Sequence, residues 1–62
     1  MIANVMVKIN NMTGVAKDKA YVVARCVEGE YWYYGAYNDV VKAYAVAEEI
    51  GGEVFENTGG IL

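Results

Sequence analysis

Residues 20–50, AYVVARCVEGEYWYYGAYNDVVKAYAVAEEI, decide the fold. The first half reads as a β-hairpin and the second as an amphipathic helix. Two runs rich in β-branched and aromatic residues, Tyr21 to Val27 and Tyr31 to Tyr37, flank Glu28-Gly29-Glu30. Gly29 supplies the positive φ that a tight hairpin turn needs. With Glu28 and Gly29 at the centre of the turn, Val27 pairs with Glu30, Cys26 with Tyr31, Arg25 with Trp32, Ala24 with Tyr33 and Val23 with Tyr34. Side chains alternate along a strand, so this register sorts the hairpin into two faces. One face holds Val22, Ala24, Cys26, Tyr31, Tyr33, Gly35 and Tyr37. It carries no charge and several small residues, and the helix is expected to dock there. The other holds Tyr21, Val23, Arg25, Val27, Glu30, Trp32, Tyr34 and Ala36. Its charges predict a wet face, which nevertheless displays Tyr21, Trp32 and Tyr34.

The helix is predicted over 39–50, capped by Asn38 or Asp39, whose side chains accept hydrogen bonds from free backbone amides. Val40, Ala43, Tyr44, Ala47 and Ile50 recur at three- and four-residue spacings and form one apolar stripe. Val41, Ala45 and Val46 widen it. Gly51-Gly52 ends the helix, one of the two in the left-handed cap conformation. Glu48 and Glu49 sit at its negative end, where each costs a few tenths of a kcal/mol.

Outward from this stretch, residues 2–9 (IANVMVKI) predict a first strand and residues 53–57 (EVFEN) a short last one. Residues 10–19 contain turn formers and no steady period, and read as a loop carrying Lys17 and Lys19. The tail 58–62, with two glycines, is expected to fray. The expected architecture is a single α+β domain over 1–62. It has a small antiparallel or mixed sheet of about four strands, in the order β-β-β-α-β, with one helix on one face.

A chain of 62 residues makes one small domain. Its hydrophobic fraction, 56%, exceeds the usual ~45–50%, which fits either a tightly packed minimal core or apolar surface kept for a partner or a second copy. The net charge of −3 is unevenly spread. Residues 1–27 hold four basic residues and one acidic, a net of +3, whereas residues 28–62 hold seven acidic and one basic, a net of −6. That balance opposes direct nucleic-acid binding by phosphate neutralisation and suits a basic partner surface. One cysteine, Cys26, permits no intrachain disulfide; it falls on the expected core face as a buried thiol. Residues 1–9 lack the features of a signal peptide, and no apolar run reaches the ~20 residues of a membrane span. The expectation is a cytoplasmic protein without membrane attachment.

No residue pattern announces catalysis or a cofactor. There is no histidine, so zinc would need an unusual all-oxygen site, and Cys26, Thr13 and Thr58 lack an activating base. Glu48, Glu49, Glu53 and Glu56 have no EF-hand spacing. The reading is therefore no enzyme, no metal and no cofactor. Tyr21, Trp32 and Tyr34, with Arg25 between and Lys17 and Lys19 nearby, resemble a stacking platform for single-stranded nucleic acid. The plainer reading of the same residues is a sheet face with an Arg25–Trp32 cation–π pair. Protein binding is favoured, because Trp, Tyr and Arg dominate interface hot spots. The candidate binding residues are Tyr21, Arg25, Trp32 and Tyr34, with an acidic group of Glu48, Glu49, Glu53 and Glu56.

The segment from Trp32 to Glu56, WYYGAYNDVVKAYAVAEEIGGEVFE, resembles small proteins encoded by bacteriophages and other mobile elements. Many of these read as a strand, a "YG-x-Y-x-D" step (here Tyr34 to Asp39), an Ala-rich acidic helix, a Gly-Gly pair and a short strand. Several anti-CRISPR proteins are similar in kind. The resemblance implies a non-catalytic inhibitor in the bacterial cytoplasm that binds a CRISPR nuclease effector and blocks its nucleic-acid-binding or activation step. A homo-oligomeric structural or regulatory module is the alternative, and a single-strand binder the next.

Overall fold

The computed structural model describes residues 3–57. The start of the expected first strand and the tail 58–62 lie outside the described residues. Strands are β1 (Asn4–Val5), β2 (Ile9–Asn10), β3 (Tyr21–Val27), β4 (Glu30–Tyr37) and β5 (Glu53–Glu56), with one helix, α1 (Val40–Ile50). They form one mixed five-stranded sheet in the order β1-β5-β3-β4-β2. The chain is thus α+β with one helix on the sheet, but with five strands instead of about four.

The extra strand comes from the first segment. The sequence predicts a single strand over 2–9; instead the segment pairs twice, Asn4 and Val5 with β5 and Ile9 and Asn10 with β4, both times in parallel. β4 and β5 both run antiparallel to β3, so β1 and β2 point the same way. The sheet cannot be flat. Four strand spacings would separate its edges by roughly 19 Å, whereas the four residue steps from Val5 to Ile9 reach at most about 14 Å. The sheet therefore curls until one extended segment touches both edges, serving one with its start and the other with its end.

The hairpin turn is placed as the sequence predicts, from Val27↔Glu30 through Ala24↔Tyr33. Both central residues have positive φ, Glu28 at 51° and Gly29 at 83°, the signature of a type I′ turn. A bulge between Val23 and Ala24 then shifts the register, and Val23 meets Gly35 instead of Tyr34. An extra residue on one strand re-aims everything beyond it. Gly35 and Tyr37 accordingly join Val23 and Tyr21, and Ala36 joins Val22.

This overturns the expected docking face. α1 packs on the side of Val23, with Ala43 and Ala47 against Val23 and Val54, and with Tyr21 and Tyr37 at the margin. The other side is filled from within the curl. Phe55 and Val22 are fully buried there, and the rings of Tyr31 and Phe55 meet edge to face at 4.9 Å across small Ala24. Central strand β3 is thus buried on both faces, which is why Val22, Val23 and Ala24 are all inaccessible. The expected buried thiol is also corrected: Cys26 lies beyond this double cover and is exposed.

Local chemistry fixes the ends of α1. Asp39 Oδ1 accepts hydrogen bonds from the amides of Val41 (2.9 Å) and Lys42 (3.4 Å). Gly51 closes the helix at φ 70°. The expected loop 10–19 contains a 3₁₀ turn, Gly14–Asp18, whose Ala16 is fully buried. Asn57 clasps it, its side-chain amide donating to the carbonyls of Ala16 (2.9 Å) and Lys19 (2.8 Å).

Candidate functional site

Two surface features stand close to one end of the sheet, and both follow from where β5 begins. Glu53 pairs with Ala24, so β5 flanks only the first half of β3. Beyond Ala24 the hairpin continues without β5 beside it. The carboxyl end of α1 abuts the same level: a Cβ on Gly52 would lie 2.6 Å from the Ala24 carbonyl oxygen. Only a glycine lets the two backbones approach this closely.

The first feature is the distal hairpin. Arg25 and Trp32 are cross-strand partners, and Tyr34 stands at the bulge. Trp32 is 46% exposed, Tyr34 is 53% exposed, and Arg25 is exposed as well. Val27, Glu28 and Glu30 gather around Trp32 in a shallow pocket of about 320 Å³. Glu30 is steadied by Asn10, whose side-chain amide donates to Oε1 at 3.0 Å. Sequence reasoning misses these flanking residues, although the two glutamates lie within four positions of Trp32. The cation found over a ring among the described residues is not Arg25 on Trp32 but Lys42, 5.8 Å from the Tyr37 centroid.

The second feature is a groove of about 510 Å³ between α1 and the start of β5, with Glu48 and Glu53 among its lining residues; the Glu53 carboxylate itself turns to the curl side of the sheet, towards Tyr31. Glu53 is held in place. Its Oε1 accepts from the Asn4 side-chain amide at 3.1 Å and its Oε2 from the Tyr31 hydroxyl at 2.8 Å. The hydrogen bond to Glu53 is the first cause that raises the Tyr31 pKa above its ordinary 10.0; desolvation and the Glu53 charge add to it. Asn4, Val41 and Tyr44 also line the groove, and sequence reasoning misses them as site residues. The one available signal is Val41, an aliphatic residue beyond the regular stripe, which is 68% exposed.

The eight sequence-predicted residues therefore divide. Arg25, Trp32, Glu48, Glu49 and Glu53 gather towards the distal end, with Tyr34 alongside at the bulge. Tyr21 and Glu56 pair with each other three residues further along β3, on the far side of Val23. Tyr21 is half-buried against the helix layer, so the three-ring platform is reduced to Trp32 and Tyr34. Among the described residues, no three acidic or cysteine side chains converge as a metal site would require. Nor is any helix there long and apolar enough to cross a membrane. Comparison with known proteins found no matching family model, no matching curated protein and no matching solved structure.

Proposed function

We propose that the protein is a non-enzymatic binding module that inhibits another protein, in the manner of the small phage-encoded inhibitors of bacterial nuclease effectors. One observation supports this reading above the rest: Trp32 is half-exposed on a hydrogen-bonded hairpin, directly opposite Arg25 and two residues from exposed Tyr34. Such residues form interface hot spots, and a rigid strand presents them with little entropy left to lose on binding. Glu48, Glu49 and Glu53 stand near the same end and would steer that end onto a basic surface. The mechanism is steric: the acidic end occupies the surface that an effector needs for nucleic acid, and the aromatic residues anchor it.

The test is a tagged pull-down from bacterial lysate expressing CRISPR effector complexes, with wild type and Trp32→Ala side by side. Recovery of a nuclease effector near one-to-one by wild type, and its loss with Trp32→Ala, is the expected result. Equal recovery by both would remove Trp32 from the mechanism. A second reading, self-association, is favoured by Val5, 80% exposed on edge strand β1, with exposed Val7 close behind. A light-scattering mass above that of one chain would support it.

A further inference from the structure

We propose that the protein forms a strand-exchanged dimer, in which residues 3–10 of each copy leave their own sheet and close the sheet of the other. The inference rests on the self-association reading and gives it a geometry. This segment is the strap that completes the curl. It holds each edge of the sheet through two residues, Asn4 and Val5 on β5 and Ile9 and Asn10 on β4. None of the described residues 3–10 is buried, and Val5 and Val7 are 80% and 45% exposed. The apolar ties of the strap are the half-buried Ala3, Met6 and Ile9. Little apolar burial therefore opposes its release.

The segment that fits the vacated edges is the same segment of a second copy. Without the strap, the outer edges of β4 and β5 would present unpaired backbone groups, a template for another strand. Any strand could use those groups, but side chains select one. The Asn4 side-chain amide donates to Glu53 Oε1 and to the Val54 carbonyl, both at 3.1 Å, and the Asn10 amide donates to Glu30 Oε1 at 3.0 Å. A second copy's strap restores every one of these bonds, so exchange loses none of them. The hinge favours exchange. Asn11 follows the strap directly at φ 63°, the left-handed region that a residue with a side chain adopts at a cost. That turn directs the strap onto its own β4, whereas an extended hinge carries it away and releases the cost. Residues 11–13, between β2 and the 3₁₀ turn, span at most about 11 Å when extended, which sets the two copies close together. Each copy gives and receives one strap, so the contact is isologous and the assembly closes at two chains. Association costs translational freedom, which concentration offsets.

The experiment is light scattering of the whole chain from about 10 μM to about 2 mM, joined to isotope-filtered NMR on labelled and unlabelled chains unfolded and refolded together. The mass is expected to rise with concentration to that of two chains. In the dimer, Val5 of a labelled chain should show nuclear Overhauser contacts to Glu56 of an unlabelled one, as the β1–β5 register requires. Asn11→Gly adopts φ 63° freely and should weaken the dimer about tenfold, a factor of about three at each hinge. Asn11→Pro cannot adopt that φ and should strengthen the dimer by at least as much. A single-chain mass throughout for both wild type and Asn11→Pro would overturn the proposal. So would a dimer in which Val5 meets Glu56 only within its own chain, or a dimer indifferent to Asn11→Gly, a variant that leaves every contact of the strap in place. An unexchanged dimer would keep the self-association reading and remove only the exchange. The inhibitor reading is judged separately, by the Trp32→Ala pull-down.

Discussion

The two halves of the same hairpin have opposite fates. In the proximal half, Tyr21 to Ala24 is covered by α1 on one side and by Phe55 and the curl on the other. In the distal half, Arg25 to Val27 and Glu30 to Trp32 leave most of their side chains exposed, Tyr31 and its ring contact excepted. Composition separates the halves only in part: the distal one carries Arg25, Glu28 and Glu30, yet it also holds Val27, Tyr31 and Trp32. Cover separates them: β5 and the carboxyl end of α1 both stop at Ala24. Where the cover stops, the same kind of side chain changes from core to surface, and binding becomes available to it.

The comparison can be broken from either side, and the largest effect should come from the covered side. Phe55→Ala empties the inside of the curl and is expected to cost about 3–5 kcal/mol. A chain of this size has roughly 3–9 kcal/mol in total, so urea denaturation should find this variant largely or wholly unfolded. Full retention of stability would mean that the curl is not a core. Removing part of the cover is gentler. Gly51→Ala forces a Cβ into the left-handed cap at φ 70°, at a cost of about 1–2 kcal/mol. Asp39→Ala removes the acceptor for the amides of Val41 and Lys42 and should cost about 1 kcal/mol. In both variants, amide exchange should quicken at Val23 and Val54 before it changes at Trp32. Uniform quickening would mean that the two halves are one cooperative unit.

The smallest effect is electrostatic. Tyr31 ionises above its ordinary value chiefly because its hydroxyl donates to the Glu53 carboxylate. With a raised folded-state pKa, its contribution to stability is present below the ordinary tyrosine value and fades as pH rises through the raised one. Glu53→Gln should bring the Tyr31 titration, followed by ultraviolet absorbance, back towards 10.0. An unmoved titration would place the cause elsewhere.

How far the sequence reaches follows the same division. The turn at Glu28-Gly29 is legible, and the cap and the stop are legible to within the pairs Asn38-Asp39 and Gly51-Gly52, of which the structure uses Asp39 and Gly51, because each depends on a few adjacent residues. The bulge at Tyr34 is not, since neighbouring tyrosines give no hint of which one the register skips. The docking face is misread for that reason and for another: a chargeless face can pack inside a curl as well as under a helix. The split of the first strand arises from closure of the whole sheet, which no local pattern carries. At the candidate site, residue type alone points to Trp32, Arg25 and the glutamates. Their sorting does not show, because Tyr21 and Glu56 separate from the rest only through the pairing of β5 with β3. Asn4 and Tyr44 enter the groove by tertiary placement alone.

The most direct measurement compares Trp32→Ala with Val23→Ala by urea denaturation. The two residues lie on the helix side of one hairpin, one past the cover and one beneath it. Val23→Ala should lose about 2–3 kcal/mol from two buried methyl groups and the void they leave. Trp32→Ala should stay within about 0.5 kcal/mol of wild type, as a surface substitution does. A loss for Trp32→Ala as large as that for Val23→Ala would contradict the account, because the distal hairpin would then belong to the fold and not to a partner.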